Sequence, residues 1–443
     1  MTRMKVLVSG AGIAGNSLAF WLSRLGHDVT VIERFSDLRT TGLQVDLRGH
    51  GIDVIKRMGL EDEVKARLAP EQGFEVVNSA GTRQGFFPAN KSTTSNSRRP
   101  KVRQNFTSDY EIMRGDLCRL LYDAAVRSHA RFQFNTSIES FEDQGGAVQV
   151  KFADGRTGRF DLVVGADGQG SSTRRKLFGS AVADAAYHPF KDTYMAYFTI
   201  PRPIQPGEDY VATMYIAPGR RGIMTRRHSP HELQVYIGCS ARLPRLEAAS
   251  HRGGDVEEQK AAWAEVFKGA GWRSDEIMQA LMATTESDIY VESPALVKLA
   301  SWSRGRVTLV GDAAWCPTAT TGMGTTCGIV GAYVLASEIA KHCAGGNGNS
   351  SDPEDALRSA LQAYEQKFQP HMAQVQKDVS VEDDSYWAGL ASSEWGIYAF
   401  HWLVAIASFL RLNVGRWFLK EEIKGWHLPN YDGMDVRKDE LEE

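Results

Sequence analysis

The sequence runs to 443 residues with a formal net charge of -3 and 24% charged residues. That is enough chain for two or three domains with sizeable cores, and it lacks the basic excess that a nucleic-acid partner calls for. Its five cysteines (Cys118, Cys239, Cys316, Cys327 and Cys343) are scattered without a CxxC pair, which excludes a disulfide scaffold and points to a reducing, cytoplasmic setting.

Met4–Val8 is a short apolar run, as expected for a strand buried on both faces of a parallel sheet. It reads as the first strand of the fold rather than a signal peptide, because glycines interrupt it. Gly10, Gly12 and Gly15 follow at GxGxxG spacing, with Ala14 before the last. A helical pattern (Leu18, Phe20, Trp21, Leu22, Leu25) then stops at Gly26, and a second strand, Val29–Ile32, ends in Glu33-Arg34. Such a turn lets a pyrophosphate approach the backbone at a helix N-terminus. Glu33, 18 residues beyond Gly15, is placed to accept hydrogen bonds from an adenosine ribose. The complete strand–turn–helix–strand–acid context marks a dinucleotide site.

The polar stretch Arg39–Asp46 is not helical, and a surface loop and a cofactor wall are both open for it. A short amphipathic helix follows, with Val54, Ile55 and Met58 on one face. Phe74–Val77 and Phe86–Phe87 flank a turn at Asn78–Gly81, which predicts a hairpin. Ala89–Arg103 reads as a mobile loop. Tyr110–Ala125 is a strand entering a helix; Arg114 stands at the junction, as a surface arginine or as a cofactor contact. Phe132–Asn135, Ile138–Glu142, Ala147–Phe152 and Phe160–Val164 are strand-like. The last runs into Gly165-Ala166-Asp167-Gly168 and a helix beginning near Ser171 and Arg174. Asp167 and Arg174 either meet a cofactor near its pyrophosphate or belong to an ordinary capped helix.

From Thr193 to Ser240 four strands are joined by Pro- and Gly-containing turns, the pattern of an antiparallel sheet inserted into the first domain. Residues 255–283 are helical, and Asp288–Tyr290 leads back. Val307–Val310 then ends in Gly311-Asp312, Pro317 follows in a loop, and Gly322-Met323-Gly324 opens a helix through about Cys343. That helix N-terminus can present N–H groups to developing negative charge, and Asp312 is placed to meet a ribityl hydroxyl. Gly345–Pro353 reads as a flexible linker and Glu354–Gln376 as a helix kinked at Pro370. Trp395–Leu410 falls short of the ~20 apolar residues of a membrane span. It is expected as a buried helix packed across both domains, with peripheral membrane contact through 395–419 as the other reading. Trp426–Glu443 reads as polar and frayed.

With these three motifs in this order, the chain resembles the class A FAD-dependent aromatic monooxygenases, the broad family of para-hydroxybenzoate hydroxylase. It is most similar to the branch of tetracycline-inactivating enzymes and polyketide hydroxylases. The resemblance implies an α/β fold with three parts: a discontinuous Rossmann-like, GR2-type FAD-binding domain (1–72, 108–180, 286–370), an inserted antiparallel-sheet substrate domain (73–107, 181–285), and a C-terminal helical segment (371–443) bridging the two. It implies that FAD is held by Gly10, Gly12, Ala14, Gly15, Glu33, Arg34, Asp46, Arg114, Asp167, Asp312, Gly322, Met323, Gly324 and Thr325. Among these, Glu33 would take the ribose, Arg114 the phosphate or ribityl region, Asp312 the ribityl chain, and the Gly322–Thr325 backbone the flavin pyrimidine. Tyr197, Met214, Pro317 and Thr321 would line the substrate pocket.

The resemblance further implies that NADPH or NADH reduces FAD, that O2 adds to give a C4a-hydroperoxide, and that one oxygen atom passes to an aromatic or polycyclic, polyketide- or tetracycline-like molecule. The cofactor carries that chemistry, so neither a catalytic side chain nor a metal is expected, and the protein would act as a monomer or homodimer. Another flavin oxidoreductase of this fold (Baeyer–Villiger enzyme, epoxidase, halogenase or reductase) and a non-enzymatic drug- or pigment-binding flavoprotein are the competing readings. Two departures stand out: Trp315 where many relatives have His, and Met323-Gly324-Thr325-Thr326 where Gln-Gly-Val-Asn is common. Arg226 and Arg227 are among the few charged residues on the inserted strands, which favours a multi-ring phenol over a small benzoate.

Overall fold

The computed structural model describes residues 3–40, 42, 44–89, 110–249, 255–284, 289–318, 321–343, 353–377, 379, 381, 393–412 and 425–437. β1 (Lys5–Ser9), α1 (Ile13–Arg24) and β2 (Asp28–Ile32) form the expected start. β3 (Gln44–Leu47), α2 (His50–Arg57), α3 (Glu61–Lys65) and the hairpin β4 (Gly73–Val77) and β5 (Arg83–Pro88) come next. β6 (Tyr110–Met113) pairs with β3 and runs straight into α4 (Arg114–Arg127). After β7 (Arg131–Gln133), β8 (Ile138–Asp143) and β9 (Val148–Phe152), the structure has two strands where one was expected over 160–164. These are β10 (Thr157–Phe160), antiparallel to β9, and β11 (Leu162–Gly165), parallel to β1. The corner is pinned at Asp161, whose Oδ2 accepts from Lys5 N at 2.7 Å.

The first sheet has the order β19-β20-β11-β1-β2-β7, where β19 (Ser303–Arg304) is antiparallel to β20 (Val307–Leu309) and the remaining pairs are parallel. Its central strands β20, β11, β1 and β2 are buried along nearly all their length because both faces are covered. Val148, Val150, Phe152 and Phe160 of the β8–β10 sheet share one core with Val6, Val8, Leu18, Trp21 and Leu121. α5 (Ser172–Phe178), α6 (Ser180–Ala185) and β12 (Tyr187–Pro189) lead to the second sheet.

That sheet contains β13 (Thr193–Pro201), β14 (Val211–Ala217), β15 (Arg221–Arg226) and β16 (Glu232–Ser240), in the order β17-β13-β16-β15-β14-β4-β5. It is mixed rather than antiparallel: the early hairpin docks with β4 parallel to β14. β17 (Ile289–Glu292) pairs with β13, so the chain returns to the cofactor-side domain after Glu292 and not at 286. One face packs on α7 (Pro244–Ala249), α8 (Val256–Phe267) and α9 (Ser274–Ala283), through Phe198, Ile223, Val235, Leu246, Trp263 and Ile277.

β18 (Ala295–Val297), α10 (Asp312–Trp315), α11 (Gly324–Cys343), α12 (Pro353–Val375) and α13 (Glu394–Phe409) complete the fold. α12 continues through residue 371, so the C-terminal segment begins later than expected. α13 departs from the buried helix expected there. Ile397, Val404 and Ala407 pack on the second sheet, but Trp395 (83% exposed) and Phe409 (86% exposed) head a largely uncovered apolar face with Tyr398, Trp402 and Leu403. The run is apolar all round, which gives no sign of which face finds a partner. The C-terminal stretch is not frayed over 425–437. Trp426 Nε1 donates to Lys367 O at 2.8 Å, Tyr431 Oη donates to the buried Glu338, and Met434 is buried. The expected loop over residues 90–103 and the linker over 345–352 lie outside the described residues.

Candidate active site

Each segment of the site begins with backbone geometry that its sequence dictates. Gly10 ends β1 with φ +115 and packs against the Ala166 carbonyl; a side chain on Gly15 would land on the Gly10 carbonyl. Both glycines are therefore required for the turn itself. Gly12 differs. It has φ −79, and a Cβ built there meets nothing within 4 Å, so it fronts open space at the N-terminus of α1, where an anion can approach the backbone. Ala14 packs against Gly311 and Gly328, joining this turn to the third motif. Glu33 braces the turn: Oε2 accepts from Ala11 N at 3.0 Å and Oε1 from Phe35 N at 3.2 Å. Arg34 lies over the Phe35 ring.

Asp167 lies against Gly10 through its backbone, but its carboxylate is engaged within its own chain. It accepts from Thr173 N at 2.9 Å, Thr173 Oγ1 at 3.0 Å and the Ser171 and Ser172 hydroxyls. Arg174 is likewise committed, donating to Ala313 O at 2.9 Å and Gln169 O at 2.7 Å. The second motif therefore uses both side chains to fasten α5 and to tie the second motif to the third.

In the third motif Asp312 opens α10, and burial pushes its carboxyl above the usual range despite the nearby Arg114 guanidinium. Arg114, at the start of α4, donates to Arg39 O at 3.4 Å and packs on Gly42. Thr318 and Gly322 hold positive φ (66 and 62), turning the backbone just after Pro317 and just before Met323. Thr321 Oγ1 then accepts from Met323 N at 3.2 Å just before α11 begins at Gly324 and Thr325. Opposite Gly322 stands Arg48, which pairs with Asp46 and is fixed through its N–H by Thr326 Oγ1 at 3.0 Å. Asp46 Oδ1 and Arg48 Nη1 are buried without hydrogen-bond partners among the described residues. Trp315, at the departure from the family's histidine, turns inward and packs at a tilt on Trp302 (4.5 Å) and edge-on to Phe368 (5.1 Å). Burial and the neighbouring Asp312 push the Cys316 thiol well up, which disfavours the thiolate form.

Across from these segments lies the uncovered part of the second sheet. Strand registers put Tyr290, Tyr197, Tyr236, Met224 and Met214 side by side in one row, spanning about 19 Å at ~4.8 Å per strand. Tyr236 Oη accepts from Gln44 N at 3.2 Å, Arg39 lies over the Tyr290 ring, and Met214 and Met224 pack beside Phe400 and Val404 of α13. The row is thus polar beneath the cofactor-side strands and apolar beneath α13. Burial holds the Tyr197, Tyr290 and Glu292 ionisations up, yet all three keep surface exposed to solvent. These partly exposed groups line the surface between the second sheet and the cofactor-side segments, called the cleft below.

The cleft suits FAD on its own evidence: open space at Gly12, an anion-ready helix N-terminus, a braced acid at Glu33, and unpartnered polar atoms on Asp46 and Arg48. Residues 3–378 match the family model described as an FAD binding domain. The chain belongs to the FAD-dependent monooxygenases. The chain is 48% identical to the FAD-dependent monooxygenase asL4 of Sarocladium schorii over 97% of this chain and 99% of that relative. It is 36% identical to the flavin-dependent monooxygenase eupH of a Phoma species, over 98% and 99% of the two chains. Among solved structures, the tetracycline destructase Tet(51) aligns with TM-score 0.71 and 28% identity, over 97% of this monooxygenase and 99% of that chain.

The monooxygenase brings Gly10, Gly12, Ala14, Gly15 and Glu33 together around the glycine turn, and Asp46, Gly322, Met323, Gly324 and Thr325 around Arg48, with the Asp312 carboxylate beside Gly324. Pro317 and Thr321 border that second group. Tyr197 and Met214 share the cleft floor but stand three strands apart. Arg48, Gln44 and Glu292 were missed by reading the sequence. Arg48 had one available signal, its place two residues after Asp46 in a strand-like run; Glu292 had none, because its strand was read only as a return path.

Proposed function

We propose that this monooxygenase binds FAD along the first sheet, in a Rossmann-like, GR2-type domain, and adds one oxygen atom to a flat, hydroxylated polycyclic molecule. The observation that carries this reading is the facing of the glycine turn, Asp312 and the N-terminus of α11 by a floor of tyrosines and methionines. Bound FAD, reduced by NADPH or NADH, supplies the activation of O2. The protein's own residues bind and exclude water. Glu33 and the Gly12 backbone hold the adenosine diphosphate end, Arg114 and Asp312 the ribityl chain, and Asp46, Arg48 and the Gly322–Thr325 backbone the ring. A filled cleft keeps water from the reactive cofactor.

The likeness to a tetracycline destructase supports a multi-ring, tetracycline- or polyketide-like substrate and a place in antibiotic modification or secondary metabolism. The test is oxygen consumption and peroxide release by the FAD-loaded enzyme with each nicotinamide, alone and with a panel of polycyclic phenols. Slow oxidation alone, and faster oxidation with less peroxide in the presence of one panel class, is expected. Reduction of the compounds without oxygen gain would replace the reading with that of a reductase.

A further inference from the structure

α13 leaves its outer face bare. Eight of the thirteen large apolar side chains exposed among the described residues lie between Trp395 and Leu412. Five of them, Trp395, Tyr398, Trp402, Ile406 and Phe409, follow one another at steps of three and four residues, which sets them in one stripe along the helix. No charged residue interrupts residues 395–410; Glu394 precedes the run and Arg411 follows it. Apolar residues scattered singly are ordinary on a protein surface, whereas a contiguous patch marks an interaction face.

The opposite face is fixed. Val404 and Ala407 pack with Phe74 of β4, Phe87 of β5 and Ala212 of β14, and Ser408 exchanges hydrogen bonds with Phe86. The stripe is therefore held outward. Its chemistry is that of a bilayer boundary, where Trp and Tyr keep their rings in the apolar zone and their N–H or O–H toward water. Charge agrees. β5 ends at Pro88, just past the Phe86–Ser408 contact, and the sequence that follows, residues 89–103, holds Lys91, Arg98, Arg99, Lys101 and Arg103 and no acid. A twofold contact with a second copy would bring two such basic stretches to one patch, where they repel. An anionic lipid surface attracts them instead.

We propose that the outer face of α13 docks on the surface of an anionic phospholipid bilayer, with Trp395, Trp402 and Phe409 entering the boundary between headgroups and acyl chains. The helix lies in the plane of that surface, for no helix among the described residues is long and apolar enough to cross a membrane. Docking there puts the bilayer one helix diameter, about 10 Å, from Met214 and Met224, which pack on the inner side of α13. The apolar end of the cleft floor then lies nearest the phase in which flat, ring-rich compounds collect. That consequence rests on the substrate class proposed above; the docking does not.

The test is flotation of FAD-loaded wild type and of the variant Trp395→Ala/Trp402→Ala/Phe409→Ala with vesicles of phosphatidylcholine alone and with vesicles containing about one-third phosphatidylserine. Wild type is expected to float with the anionic vesicles and to bind neutral ones at least about tenfold more weakly. The variant should bind the anionic vesicles at least about tenfold more weakly than wild type, while keeping its FAD content and melting temperature. Phospholipid brominated along its acyl chains should quench wild-type tryptophan emission and leave the variant's unchanged. Wild type that stays unbound, equal flotation of the variant, or flotation without quenching would overturn the assignment. A dimer in sedimentation that the variant loses, without flotation of either protein, would give the face to a second copy instead. Flotation needs no turnover, so its failure is separate from failure of the monooxygenation reading, which oxygen incorporation from the polycyclic panel tests on the same samples.

Discussion

Gly12 and Gly15 sit three residues apart in one turn and answer to different constraints. Gly15 has no room for a Cβ, whereas Gly12 has nothing near it and ordinary backbone angles. Gly15→Ala should cost upward of ~3 kcal/mol, as overpacking against backbone cannot relax, and should yield unstable protein without FAD. Gly12→Ala should leave the melting temperature of FAD-free protein within about 2 °C, yet lower FAD affinity tenfold or more. Equal loss of stability in both would remove the case for ligand approach at Gly12. Asp312→Ala should weaken FAD retention by about ten- to a hundredfold, the range for roughly 1.5–3 kcal/mol from a buried charged hydrogen bond. A variant whose affinity stays within twofold of wild type would show that Asp312 merely opens α10. Glycines and strand-end acids are legible in sequence because backbone geometry and chain position expose them. Asp167 was legible as a capping acid too, but only the hydrogen bonds to Ser171, Ser172 and Thr173 show where its carboxylate goes. Glu292 was illegible because its surroundings are assembled from three distant segments.

α13 carries the main element-scale lesson. Its position and type follow from the apolar run after Ser393, whose side chain caps the helix at Gly396 N. Its covering does not, since apolar composition fixes neither the face nor the partner. What holds it is specific: Val404 packs on Gly85 of β5, and Ser408 Oγ donates to Phe86 O at 2.9 Å and accepts from Phe86 N at 3.0 Å. Val404→Ala should therefore cost about 2 kcal/mol, while Trp402→Ala, on the exposed face, should stay within ~0.5 kcal/mol. Denaturant titration of both checks this; equal losses would mean that the outer face is covered. Because α13 also packs on Met214 and Met224, it forms the apolar wall of the cleft. No helix among the described residues is long and apolar enough to cross a membrane. The mixed character of the second sheet was likewise hidden: hairpin patterns identify β4 and β5, but not the strand that β4 joins.

At the scale of the whole molecule, the second sheet is tied by charge to the two-stranded β3–β6 sheet. Arg226 on β15 holds Glu71 at 2.7 Å and also Glu111 on β6, all three buried, while Tyr236 reaches Gln44 beside them. Burial pushes the Glu111 carboxyl well up, with Arg226 opposing. Arg226→Ala should cost about 3–5 kcal/mol by leaving buried acid without its cation. The sign of its pH dependence follows from that raised carboxyl. A raised acid favours the folded state when protonated, so its contribution is present at low pH and lost as pH rises through the folded value. The deficit of Arg226→Ala should thus be smaller at pH 5 than at pH 8, read from melting temperatures. A pH-independent deficit would place the loss in packing rather than charge.

The measurement that bears most directly on the whole account is the origin of the product's new oxygen. FAD-loaded protein turning over a polycyclic phenol with NADPH under labelled O2 in ordinary water should give a product carrying one labelled atom, the second leaving as water. A product whose new oxygen comes from solvent, or one that gains no oxygen while the nicotinamide is consumed, would contradict it.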